Sequence, residues 1–168
     1  MEDNLSADLI IAKQILYSKI NVELKNIKLE KESAAYIACT FKVNELSILY
    51  REAKITPTKI GQFVTIWKRN NEGITESFNV NDDIDFVVIG CRHDNQFGQF
   101  VFPKAILGEK KIFTKNNMEG KRGIRVYPPW DIAINKQAIQ TQAWQLEYFL
   151  EMTIAIDIGK AKKLYAIK

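Results

Sequence analysis

LSILYREAKIT, residues Leu46–Thr56, reads as a β-strand that stops where Pro57 removes a ladder donor. Upstream, AAYIACTFKV (34–43) reads as a second strand, and Asn44-Glu45 between them is a tight hairpin turn. Alternate side chains of a strand leave opposite faces, so Glu52 and Lys54 are expected side by side on one face. Glu-x-Lys on a strand is half of a metal-dependent nuclease site. There the carboxylate holds Mg²⁺, and the ammonium orients the attacking water or stabilises the charged phosphate. The other half is an acid on the neighbouring strand, and AAYIACTFKV has none. The hairpin therefore predicts a phosphate site and argues against cleavage.

Working outward, Ser6 is placed to cap a first helix with apolar residues at Leu9, Ala12, Leu16 and Ile20. VELKNIKL (22–29) alternates as a strand. GQFVTIWKR (61–69) is another, with Phe63, Thr65 and Trp67 on one face and Gln62, Val64, Ile66 and Lys68 on the other. Residues 70–81 read as a polar connection. IDFVVIGC (84–91) has the near-continuous apolar run of a fully buried strand, and residues 98–102 return as its hairpin partner. Pro103 opens a short helix, and residues 123–127 form the last clear strand. Residues 135–152 read as the longest helix, with Ile139, Ala143, Leu146 and Leu150 at helical spacing. A final short helix is expected in the lysine-rich tail. Helix, then strands, then helix predicts an α+β fold: one domain over residues 1–168, with a mixed central β-sheet flanked by helices.

The chain has 168 residues, a formal net charge of +4, and an ordinary 46% hydrophobic content. Two cysteines and one histidine make no zinc pattern, and Cys39 and Cys91 sit in apolar strands as buried thiols. The opening MEDNLSADLI is not a signal-peptide core, and no apolar run spans a bilayer, so a cytoplasmic protein with no membrane association is expected. There is no Walker loop, no dinucleotide fingerprint, and no nucleophile with a histidine partner.

Charge is segregated along the chain. Residues 72–85 carry five acids and no base, whereas residues 104–125 carry seven bases against two acids. GKRGIRVYPPWD (120–131) puts Lys121 and Arg122 in a glycine-flanked loop, Arg125 and Tyr127 on one strand face, and Trp130 just beyond. Lys54, Thr56, Lys59 and Lys104 add cations and a hydroxyl suited to phosphate oxygens. Trp67, Tyr127, Trp130 and Trp144 offer flat rings for base stacking; Gln137, Thr141, Trp144 and Tyr148 make a second helical stripe, which Gln142 and Gln145 flank. Asp82, Asp83 and Asp85 read as a charged strand cap, and His93 as a surface residue.

Read together, AKITPTKIGQFVTIWKR (53–69), DFVVIG (85–90), GQFVFPK (98–104), GKRGIRVYPPWD (120–131) and TQAWQ (141–145) resemble the MepB family of small bacterial proteins. That family takes its name from a protein encoded beside a multidrug efflux transporter and its regulator, an association that assigns no chemistry. The resemblance implies a fold like that of the PD-(D/E)xK restriction endonucleases. Glu52 and Lys54 match the Glu-x-Lys half of that pattern, and the preceding acid has no counterpart.

The expectation is a nucleic-acid-binding protein on a degenerate nuclease-like scaffold. It prefers single-stranded DNA or RNA, does not cleave, and needs no cofactor. One alternative is an active nuclease using Mg²⁺, Glu52, Lys54 and an acid such as Glu32, Glu45 or Asp85. Another is a binder of small aromatic compounds linked to drug resistance, with Trp67, Tyr127, Trp130 and Trp144 as its cage.

Overall fold

A computed structural model of the chain describes residues 4–168, so the first three residues of the acidic N-terminal stretch lie outside the described residues. Ser6 caps helix α1 (Ala7–Ala12), its Oγ accepting the Leu9 N–H at 3.1 Å, and a π-helical turn over Lys13–Tyr17 prolongs it. Leu9, Ala12, Leu16 and Ile20 are all buried, as their spacing predicts. Strands β1 (Leu24–Leu29), β2 (Cys39–Val43) and β3 (Leu46–Glu52) then form an antiparallel meander. Its β2–β3 turn is the expected one: Val43 faces Leu46, and Asn44 takes a left-handed φ of 53°, a region asparagine tolerates.

The chain next leaves this sheet for β4 (Lys54–Ile55), β5 (Gln62–Thr65), β6 (Trp67–Arg69) and β7 (Thr75–Ser77). It returns as β8 (Phe86–His93), which pairs with β3 in parallel, and β9 (Gln96–Pro103), which pairs with β8 in antiparallel. After α2 (Lys104–Glu109) come β10 (Gly123–Val126), α3 (Lys136–Leu146), β11 (Phe149–Glu151) and α4 (Ile158–Leu164). The principal sheet has the order β1-β2-β3-β8-β9-β11 and is mixed. A three-stranded antiparallel sheet, β10-β5-β4, and the hairpin β6-β7 stand apart from it. The result is the expected α+β architecture. Among the described residues no helix is long and apolar enough to cross a membrane.

The principal sheet is buried on both faces. Ile48, Tyr50, Val88 and Val101 pack toward α1 and α4, while Leu49, Val87, Ile89, Phe100 and Phe102 pack toward the small sheet. Cys39 and Cys91 are free and buried, and burial pushes the Cys39 thiol up to about 12.

Four local expectations are corrected. Residues 34–36 form a 3-10 turn, so the second strand begins only at Cys39. Residues 61–69 split into β5 and β6 at Ile66, whose N–H donates to the Arg122 carbonyl, and residues 70–81 hold β7 as well as loop. The long helix stops at Leu146, because Phe149 belongs to one core and Leu150 to the other, a division only the alternation of a strand achieves. Ile139, placed on its apolar stripe, is 51% exposed.

The fourth correction concerns the decisive strand. It breaks at Ala53, whose N–H donates to the Gly90 carbonyl. Glu52 stays in the principal sheet opposite Gly90, whereas Lys54 enters the small sheet opposite Phe63.

Candidate functional site

That break takes the Glu-x-Lys pair apart. The Glu52 carboxylate is turned toward α1, where it accepts hydrogen bonds from the Ser6 hydroxyl and, at 2.9 Å, from the Tyr50 hydroxyl. Burial raises its pKa above the usual glutamate range, and the two hydroxyls oppose that rise. Lys54 lies instead over the Tyr36 ring, 5.1 Å from its centroid. The acids named as partners are engaged elsewhere. Glu32 pairs with Arg69 at 2.5 Å, Asp85 accepts the Ser47 N–H at 2.8 Å, and Glu45 is exposed in the hairpin turn. Among the described residues no three His, Cys, Asp or Glu side chains are grouped to hold a metal ion. These residues do not fit a Mg²⁺ centre of the Glu-x-Lys kind.

The small sheet builds a different site. β10 is one of its two edge strands, and the face of α3 that carries Gln142 and Gln145 docks along the open side of β10. The buried Gln145 side chain bonds the backbone there as a neighbouring strand would: its Oε1 accepts the Tyr127 N–H at 2.9 Å and its Nε2 donates to the Arg125 carbonyl at 3.1 Å. One turn earlier, the Gln142 Nε2 donates to the carbonyls of Tyr127, Pro128 and Asp131 at 3.3, 3.0 and 2.8 Å. TQAWQ is thus the clamp that shapes VYPPWD. Gln142, expected at a ligand, is used up in holding the loop.

Gly61 completes the frame. Its φ is +82°, and a Cβ there would sit 2.8 Å from the Tyr127 ring and 2.9 Å from the Val126 carbonyl oxygen, so only glycine lets that ring lie against the backbone. Arg125 is fixed from the same loop: its guanidinium donates to the Gly61 carbonyl at 3.2 Å and to the Thr56 hydroxyl at 3.0 Å.

Between this frame and α3 runs a groove of about 460 Å³. Lys59, Lys110, Lys121 and Arg125 line it, together with Tyr127, Asn135, Gln137, Thr141 and Trp144, and among the described residues no carboxylate does. Among the described residues, Lys59 and Lys121 have neither an ion pair nor a hydrogen bond from their side chains. The Lys110 ammonium stands 5.4 Å from the Trp144 ring centroid. A second recess of about 370 Å³ shares Lys59, Arg125, Tyr127, Asn135 and Ala138 with the groove and adds Thr58, Ile60 and Ile134. Cations without counter-charges, gathered in one concavity beside aromatic rings, are chemically suited to an anion that also carries flat apolar surface.

Five of the residues expected from sequence therefore meet in the groove: Lys59, Lys121, Arg125, Tyr127 and Trp144. Thr56 supports Arg125 from behind, and Lys54 is held by Tyr36. Trp67 lies in the β6-β7 hairpin beneath the Arg69 guanidinium, at 5.3 Å. Lys104 donates to the Asp82 carbonyl at 3.3 Å, and Arg122 to the Thr75 hydroxyl at 3.2 Å. Trp130 packs edge-on against Phe149, with centroids 5.8 Å apart, and its Nε1 is buried. The four-ring cage is thus not assembled, since only Tyr127 and Trp144 share the groove. Asp82 accepts from Lys68 and from the Asn79 N–H, both at 2.8 Å, which is the capping role expected of that cluster. His93 is exposed, and burial raises the Asp131 carboxyl while His93 pulls it the other way.

Lys110 and Asn135 are groove residues the sequence did not single out. Lys110 lies within the basic run of residues 104–125, which was the available signal, whereas Asn135 is recruited by its place as N-cap of α3.

The fold and groove define the class: a small α+β protein with a mixed sheet, a three-stranded annex and a basic cleft between the annex and a helix. The chain belongs to the MepB-like family, whose profile matches residues 30–151. It is similar to the crystal structure of MepB, with 36% identity and a TM-score of 0.76 over 84% of this chain and 97% of that one. A second solved structure, the bacterial homing endonuclease I-Ssp6803I, matches with 17% identity and a TM-score of 0.42 over 84% of this chain and 92% of that chain. No curated protein matches the sequence.

Proposed function

We propose that this protein binds nucleic acid in the β10/α3 groove, with single-stranded DNA or RNA preferred to duplex, and that it does not cut what it holds. One observation carries the reading: four cations and the rings of Phe63, Tyr127 and Trp144 line one cleft in which, among the described residues, no carboxylate takes part. Lys59 and Lys121, free of partners among the described residues, neutralise backbone phosphates. Tyr127 and Trp144 stack on bases, and unpaired bases present both of their faces. The absence of cleavage follows from Glu52, which is committed to Ser6 and Tyr50 while Lys54 sits in another sheet.

The test is fluorescence anisotropy of a labelled single-stranded oligonucleotide in EDTA at two salt concentrations. Binding without metal that weakens steeply with salt is expected. No binding at low salt overturns the reading. Mg²⁺-dependent cleavage that disappears in Glu52→Gln overturns its second half.

A further inference from the structure

The smaller recess differs from the groove beside it in the chemistry of its walls. Ile60 is 36% exposed and Ile134 is 76% exposed, although both line a concavity with Tyr127. Ile134, so far out in water, contributes little to folding, and with the partly exposed Ile60 and with Tyr127 it makes an apolar slot. Lys59 and Arg125 belong to the slot and to the cationic groove alike, so the two chemistries meet at a shared border. An occupant of both must place a negative charge a short way from a flat apolar group.

The polar groups of the slot narrow the choice further. The Asn135 oxygen is already taken by the Ala138 N–H at 2.8 Å, which leaves its amide N–H groups as donors, and the Thr58 hydroxyl both donates and accepts. A nucleobase edge carries acceptors and donors together, which matches both groups. Thr58, which lines the slot, also holds a left-handed φ of 68°, a costly conformation for a β-branched residue.

We infer that the slot formed by Ile60, Tyr127 and Ile134 takes a single unpaired nucleobase, while Lys59 and Arg125 hold the phosphate next to it. This inference rests on the nucleic-acid reading and assigns a division of labour within it. The large groove tracks the backbone, and the small slot receives one base pulled out of the strand. Such an arrangement favours single strands over duplex DNA, where the base must first be unpaired and unstacked.

The experiment uses the full chain and a single-stranded oligonucleotide carrying one 2-aminopurine, with anisotropy and base fluorescence read in the same titration in EDTA. The expected result is a change of at least about twofold in base fluorescence at saturation. The Ile60→Ala/Ile134→Ala protein is expected to lose that change, and because both side chains are exposed it should fold. A matched strand with abasic sites should bind about fivefold or more weakly, the lower end of what one stacked base contributes. Salt-dependent binding with unchanged base fluorescence, or equal affinity for the abasic strand, overturns the slot and leaves the groove standing. An acidic tyrosine-containing peptide that displaces the oligonucleotide more effectively than mononucleotides do also overturns it. Absence of any binding removes the groove and the slot together.

Discussion

The principal sheet and the β10/α3 groove treat charge in opposite ways. Around the sheet, on either face, the charged side chains nearest the core have partners. Buried Arg51 meets Glu30 at 2.9 Å, Arg92 meets Asp8 at 2.6 Å, and Glu52 takes two hydroxyl donors. In the groove four cations stand together with no carboxylate in the lining among the described residues. A folded chain gains nothing by collecting like charges in a concavity, since their repulsion opposes folding. Pairing on one side serves stability, and its absence on the other points to a ligand that supplies the missing charge.

The largest effect that could break this contrast belongs to the paired side. Glu30→Ala leaves the fully buried Arg51 guanidinium uncompensated and should cost about 3 kcal/mol in denaturant unfolding. A cost below about 1 kcal/mol would show that water solvates Arg51 and that pairing does not organise the charges around this sheet.

Next in size is the frame of the groove. Gln145→Ala orphans the Tyr127 N–H and the Arg125 carbonyl and should destabilise by about 2 kcal/mol, with a parallel loss of oligonucleotide affinity. Lost stability with intact affinity would mean that the placement of Arg125 and Tyr127 does not matter to binding.

A smaller effect reports on Glu52. Its pKa is raised in the folded protein, so the fold binds this proton more tightly than the unfolded chain does. The associated stability is complete below the ordinary glutamate value of about 4.3 and is lost as pH rises through the folded value. Glu52→Gln removes that dependence. Its denaturation midpoint, compared with that of the parent, should therefore move upward with increasing pH across that window. A difference between the two proteins that does not change with pH would contradict the buried, hydroxyl-bonded carboxylate.

These elements also show what the sequence made legible. The β2–β3 hairpin, the buried β8 and the Ser6 cap each follow from a local pattern, whether a turn dipeptide, an apolar run or a capping hydroxyl, and each formed as expected. The Arg125 and Tyr127 face followed from strand alternation, and Gln137, Thr141 and Trp144 from helical spacing. The break at Ala53 did not, because it depends on which sheet competes for the next two residues, a tertiary choice between Gly90 and Phe63. The strand at Phe149–Glu151 was hidden for a similar reason, since its apolar residues fit both periods and only the position of two cores decides between them. Gln142 looked like a ligand-binding side chain, and Gln145 drew no role, because a sequence does not reveal that an edge strand lacks a neighbour.

The contrast between paired and unpaired charge is tested most directly by the Lys59→Ala/Lys121→Ala protein, with its unfolding midpoint and its salt-dependent binding of a single-stranded oligonucleotide measured together. Both side chains are exposed and lack partners among the described residues, so stability should stay within about 0.5 kcal/mol of the parent. The slope of log affinity against log salt should become shallower by roughly 1.4, about 0.7 for each phosphate on a single strand that is no longer neutralised. An unchanged slope, or a fall in stability that accounts for weaker binding, would contradict the assignment of this groove to a polyanion.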